Sequence, residues 1–160
     1  MDDEEFFASL PRKVVSSCAL IRDDRGRVLI LKPTYRANWL LPGGTVDADE
    51  SPLRACQREL QEELGLSIAP GRLLCVDHRV AQPPRPESLH FTFDGGRIGD
   101  EQIARIRLPP AELSDHRFAA LDELSPLLTA NILRRVRVGL EQLALGGSVY
   151  LDDLSATRGD

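Results

Sequence analysis

Cysteine is scarce in this chain. The three residues, Cys18, Cys56 and Cys75, are widely spaced and set in apolar surroundings. An odd, scattered set supports neither a disulfide framework nor a CxxC zinc site, and a reducing, cytoplasmic setting is the expectation. Long apolar runs are also missing. No segment approaches the ~18 apolar residues of a membrane span, and the MDDEEFF start is acidic where a secretory signal needs a basic one. No membrane association is expected. A dense basic block is lacking too, and the formal net charge is −5. That argues against binding nucleic acid through phosphate neutralisation, so an anionic ligand would need local positive charge. His78 and His90 have no metal-ligand spacing, and no internal repeat is present.

The 160 residues, 42% hydrophobic, are enough for one domain with its own core. Residues 1–12 read as a polar, loosely held arm, residues 13–151 as the domain and residues 152–160 as a tail. VVSSCALI, the turn at Asp23–Gly26 and VLIL predict a hairpin. LLCVDHRV (73–80), LHFTF and IARIRLP (103–109) predict further strands, with a turn at FDGG. Leu128, Ile132, Val136, Leu140 and Leu143 recur at helical spacing and give a C-terminal amphipathic helix that stops near Gly146. Arg134, Arg135 and Arg137 fall to its solvated side in this reading. The order of elements is that of an α+β domain, a mixed sheet packed between helices.

The most informative segment is GGTVDADESPLRACQRELQEELGL, residues 43–66. Ser51 and Pro52 form a good helix start and Gly65 a good stop. Leu53, Leu60 and Leu64 share one stripe with Cys56 at its edge. With Glu59 as zero, Glu63 lies about 40° to one side and Glu62 about 60° to the other, so three carboxylates share a flank. Glu59 and Glu63 are a like-charged i,i+4 pair, unfavourable by roughly 0.2–0.5 kcal/mol. Glu62 and Glu63 also sit in the last turn, where the helix dipole disfavours anions. One arginine, Arg58, does not neutralise three glutamates. A solvated acidic face is the common origin of such a run, but here the run follows a Pro-Gly-Gly turn and another acid, Glu50. A divalent cation accounts for the whole arrangement, since carboxylates with an accessible backbone carbonyl are the hard ligands of Mg²⁺ and Mn²⁺. A broken local rule marks a site.

Gly44, Glu50, Arg58-Glu59-Leu60, Glu62-Glu63 and Gly65-Leu66 resemble the signature of the Nudix hydrolases, each at the expected spacing, preceded by a similar lead-in, Trp39 to Gly44. The resemblance implies an α/β/α sandwich whose loop, helix and loop bind Mg²⁺ or Mn²⁺ and cleave a phosphoanhydride in a nucleoside diphosphate linked to another group. Nucleotide-sugar, ADP-ribose-like and (d)NTP substrates all fit. By the same resemblance Glu59 and Glu63 are the main metal ligands with Glu62 assisting, and Gly43 offers its carbonyl. Arg58 orients the glutamates and pairs with Glu50 or Glu62, while Gly44 and Gly65 shape the backbone. Many members of the family dimerise, although this sequence shows no long apolar surface assignable to a partner.

Outside the signature, Arg36, ahead of Lys32, is the candidate substrate contact. Glu112 is the first candidate for catalytic base or extra metal ligand and Asp115 the second, because an acid-bearing loop before an aromatic residue, here Phe118, is similar to the family's pattern. Trp39 reads as a packing residue. A non-catalytic Nudix-fold sensor of a nucleotide metabolite is the rival reading, disfavoured by the intact glutamates. An isoprenoid diphosphate isomerase ranks last, because Cys56 and Cys18 are not placed as nucleophiles.

Overall fold

The computed structural model describes residues 2–153. Its frame is a seven-stranded mixed sheet between two helices. In chain order the strands are β1 (Val14–Arg22), β2 (Val28–Pro33), β3 (Gly43–Thr45), β4 (Leu73–Arg79), β5 (Ser88–Arg97), β6 (Leu113–Ala119) and β7 (Val149–Leu151). The helices are α1 (Asp3–Ser9), α2 (Pro52–Leu64), α3 (Asp100–Ala104) and α4 (Ala130–Leu145). The sheet order is β6-β2-β1-β5-β4-β7, with β3 paired to β1. β1 runs parallel to β5 and antiparallel to β2 and β3.

Alternation along the central strands sends side chains to both faces, and both faces are apolar. Ala19, Ile21, Leu29 and Leu31 join Cys56, Leu60 and Leu64 of α2 in one core. Leu20, Val28 and Ile30 join Leu133 and Val136 of α4 in the other. The sandwich follows from two apolar sheet faces that each need a helix to cover them.

The expected hairpin, the central helix, the strand over 73–79 and the C-terminal helix all form. Four local expectations are corrected. The FDGG segment continues β5, because the absent side chain of Gly95 lets the strand pass against Ala19 and Ile21 while Gly96 takes φ 74° at a register shift. Residues 103–109 do not form a strand: Ile103 and Ile106 both turn into the α2-side core, a three-residue spacing met by a helical turn, and Pro109-Pro110 cannot donate to a ladder. The Gly43-Gly44 bend is itself the strand β3, with Cys18 opposite Gly43 and Ser17 opposite Gly44. Leu53 is exposed, its place on the buried face of α2 taken by Ala55. The N-terminal arm contains α1, capped by reciprocal bonds between Asp2 and Glu5 and without a buried residue. Of the expected tail, residues 154–160 lie outside the described residues.

Candidate active site

Helix α2 begins and ends as its capping residues require. Ser51 accepts a bond from Arg54 N–H, and Gly65 closes the helix at φ 67° with its N–H on the Gln61 carbonyl. The backbone N–H of Arg107 then donates to the freed Leu64 carbonyl, tying the helix end to the following loop. Burial of Leu60 and Leu64 fixes the rotation of the helix about its axis. That rotation delivers Glu59 and Glu63 to β3.

The contacts are close. The N–H of Gly43 donates to Glu63 Oε2 at 2.7 Å. Gly44 lies so near Glu59 that a Cβ there would overlap its carboxylate. Gly43 adopts φ 143°, and a Cβ at that position would overlap the backbone of Ser17 and Cys18. Each glycine therefore has its own reason: the first for the strand's approach to β1, the second for room beside a carboxylate.

Arg58 organises the acids around it. Its Nε and Nη2 donate to the two oxygens of Glu50, each at 2.9 Å, and Nη2 also reaches the Thr45 carbonyl at 3.1 Å. Its Nη1 donates to Glu59 at 2.9 Å and to Glu62 at 3.3 Å. The bidentate Arg58 bond, together with Asp47 N–H, holds Glu50 down at about 2. Burial raises Glu59 above the usual carboxylate range, against the pull of Arg58. Burial likewise pushes Glu63 up to about 8, against the Gly43 N–H bond and with the charges of Glu59, Glu112 and Glu62 adding to the rise.

The two acids proposed outside the signature separate here. Glu112, just before β6, contributes its charge to both Glu59 and Glu63. Asp115 lies within β6 opposite Lys32, on an exposed position. Of the acid-bearing segment expected as a loop, Glu112 lies in a turn and Asp115 in the strand that follows it. Lys32 spends its ammonium on the carbonyls of Arg36 and Ala37 and braces that loop. Arg36 is exposed, its guanidinium 5.4 Å from the centre of the Tyr35 ring. Trp39 packs against the α4-side core, as expected.

The donor set fits a hard divalent cation in its chemistry. It is all oxygen, it gathers carboxylates whose mutual repulsion and burial a cation would relieve, and it adjoins backbone carbonyls. Among the described residues no three acidic, histidine or cysteine side chains converge on one cation-sized point; Arg58 Nη1 takes an oxygen of Glu59 and one of Glu62, and the Gly43 N–H takes one of Glu63.

Three features went unseen in the sequence. A cavity of about 740 Å³ opens on the other side of β3, with Gly43 and Gly44 in its wall. His90 lines it, bonded by Ser16 Oγ at Nδ1 and by Ser88 Oγ at Nε2 (2.9 Å), and burial with the nearby charges of Arg135 and Arg79 lowers it to about 4, so the ring is neutral. Arg135, expected on the solvated side of α4, is instead 8% exposed, with Nε donating to the buried Asp77 at 2.7 Å. Of its expected companions, Arg137 is exposed and Arg134 donates to the Asp152 carbonyl. The thiols offer no nucleophile, since burial raises Cys18, pushes Cys56 up to about 12 and Cys75 up to about 11.

Residues 11–137 match the model of the NUDIX domain. An RNA pyrophosphohydrolase of Halorhodospira halophila is 34% identical over 84 residues, covering 52% of this chain and 46% of the relative, so the chain spans about half that protein's length. The phosphatase NudJ of Escherichia coli is 29% identical over 67% of this chain and 73% of its own. Among solved structures, a MutT protein from Methanosarcina mazei superposes with a TM-score of 0.70 at 26% identity, over 84% of this chain and 99% of that one. The chain belongs to the Nudix family, and its relatives there include pyrophosphohydrolases and phosphatases by name. No helix among the described residues is long and apolar enough to cross a membrane.

Proposed function

We propose that this protein is a Nudix pyrophosphohydrolase that cleaves a phosphoanhydride in a nucleoside diphosphate derivative with Mg²⁺ or Mn²⁺. The observation that carries the reading is the set Glu59, Glu62 and Glu63 on one flank of α2, two of them pushed above the usual carboxylate range beside β3. Glu59 and Glu63, with Glu62 and the Gly43 carbonyl, would hold the metal. When bound, the cation supplies charge neutralisation for the anhydride oxygens and acidifies the attacking water.

The chain's own residues do the positioning. Arg58 orients Glu59 and Glu62 and pins the Glu50 loop, a supporting role. Gly43 N–H orients Glu63. Glu112 is the general base of choice, because its charge is felt at both Glu59 and Glu63 while Asp115 stands opposite Lys32. Gly44 and Gly65 keep the two ends of the helix in register with the sheet, and Arg36 meets the substrate at the cavity mouth.

The test is hydrolysis of a panel of nucleotide sugars, ADP-ribose, dinucleotides and (d)NTPs with Mg²⁺ and Mn²⁺. Turnover of at least one compound, lost in the Glu63→Gln variant, is expected. Tight binding across the panel without turnover would replace this reading with a sensor.

A further inference from the structure

The 740 Å³ cavity behind Gly43 and Gly44 has a charge pattern opposite to that of the whole chain. Four arginines line it, Arg36, Arg79, Arg85 and Arg135, and among the described residues no aspartate or glutamate does. Two of the four are paired through acids outside the lining: Arg135 with Asp77 and Arg79 with Asp153, the latter at 3.2 Å. Arg36 and Arg85 form no ion pair with any described residue.

Arg135 is a built element. It rises from the second turn of α4 into a position nine-tenths buried, and Asp77 on β4 fixes its Nε. Its Nη groups make no hydrogen bond to a described residue, and Arg135 is part of the cavity wall. Thr129 and Asn131, at the start of α4, line the same wall, and the Thr129 side chain leaves the first turn's amides uncapped. The floor adds the hydroxyls of Ser16 and Ser88 and the neutral His90. Apart from Tyr35, which is 67% exposed and carries Arg36 against its ring, no phenylalanine, tyrosine or tryptophan among the described residues lines the cavity, and the His90 ring is held at both nitrogens by Ser16 and Ser88. A nucleobase would find little to stack on inside, whereas a dianion would find fixed donors.

We propose that the cavity binds a phosphomonoester carried by the part of the substrate that lies beyond the scissile anhydride, with Arg135 as the anchor and Arg36 and Arg85 closing on it. The inference rests on the reading above, in which the anhydride sits at the glutamates across β3. A phosphomonoester brings a charge of about −1.5 to −2 at neutral pH, which matches the two uncompensated arginines. The preferred substrates are therefore diphosphates whose attached group bears its own phosphate, such as a phosphorylated sugar.

Two arms test this on the full chain. In calorimetry, ribose 5-phosphate binds while ribose does not, and Arg85→Gln or Arg36→Gln weakens the binding about tenfold each. Both substitutions are on exposed positions and should leave folding intact. In kinetics with Mg²⁺, the ratio of kcat/KM for NADPH over NADH, and for coenzyme A over its 3′-dephospho form, exceeds one in at least one pair, and Arg85→Gln reduces that ratio about tenfold. Equal binding of ribose and ribose 5-phosphate, or affinity unmoved by both variants, overturns the proposal. Turnover of every pair without preference overturns it too, while leaving the hydrolase reading standing. Absence of all turnover defeats the hydrolase reading alone, because the calorimetric arm still decides whether the phosphate site exists.

Discussion

The Glu63 carboxylate in the last turn of α2 and the backbone N–H of Gly43 in β3 meet at 2.7 Å. That one bond joins the helix that carries the acids to the strand whose other side walls the cavity. It also separates the roles of the two adjacent glycines. Ala at Gly43 must fit an unfavourable φ and the backbone of Ser17 and Cys18, so Gly43→Ala should cost about 3 kcal/mol or more in a denaturation experiment. Ala at Gly44 meets only the movable end of Glu59. Gly44→Ala should melt near the parent temperature and lose activity on the order of a hundredfold, the scale of a misplaced catalytic group.

Glu63 also sets a pH dependence. Its carboxyl is pushed up to about 8 when folded, against 4.5 for the ordinary group. The folded chain thus holds a proton that the unfolded chain has released, and metal-free stability should fall as pH rises from about 4.5 to 8. Cation binding must displace that proton, so apparent Mg²⁺ affinity should climb over the upper part of the same window and level off above it. Thermal melts with EDTA and with Mg²⁺ across this range check both signs. In Glu63→Gln the fall in metal-free stability should flatten.

Arg58 grips Glu50 with two nitrogens and Glu59 with a third. A lysine has no fork with which to do this. Arg58→Lys should reduce kcat/KM about ten- to a hundredfold, as loss of a supporting residue commonly does. Steady-state kinetics at saturating Mg²⁺ would expose the defect; unchanged rates would mean the acids are oriented without it.

The signature helix was legible because its rule-breaking is local: three acids at one helix end, caps on both sides and Leu60 on the stripe can all be counted along the chain. Leu53 departs from the stripe because periodicity alone does not say where burial begins along the helix, and here it begins at Ala55. FDGG looked like a turn because glycine pairs usually are; only the proximity of Ile21 from β1 explains why the strand needs Gly95. Residues 103–109 fit a strand pattern and a helical-turn pattern equally, and the packing of half-buried Ile103 and buried Ile106 against one core decides for the turn. Arg135 carried a faint signal: at about 100° per residue it falls some 60° from Ile132, on the flank of the buried stripe, whereas Arg134 and Arg137 fall well outside it. Asp77, an acid in an inward phase of β4, was the matching half. Neither half means anything until the sheet brings them together.

That pairing predicts a stability asymmetry. Asp77 is 1% exposed and its Oδ1 has no partner among the described residues, so Arg135 is the main compensation for its charge. Arg135→Ala should destabilise the fold by about 3–5 kcal/mol, the cost of stranding a buried charge. The double variant Asp77→Leu/Arg135→Met should recover much of that loss in urea titrations. Additive losses would contradict a coupled pair.

Whether the α2 glutamates hold a cation is decided by Mn²⁺ binding at pH 8, followed by electron paramagnetic resonance, in the parent and in Glu63→Gln. Saturable binding is expected in the parent and at least tenfold weaker binding in the variant. Equal affinity in the two proteins, or none in the parent at millimolar Mn²⁺ with a non-hydrolysable diphosphate present, would contradict it.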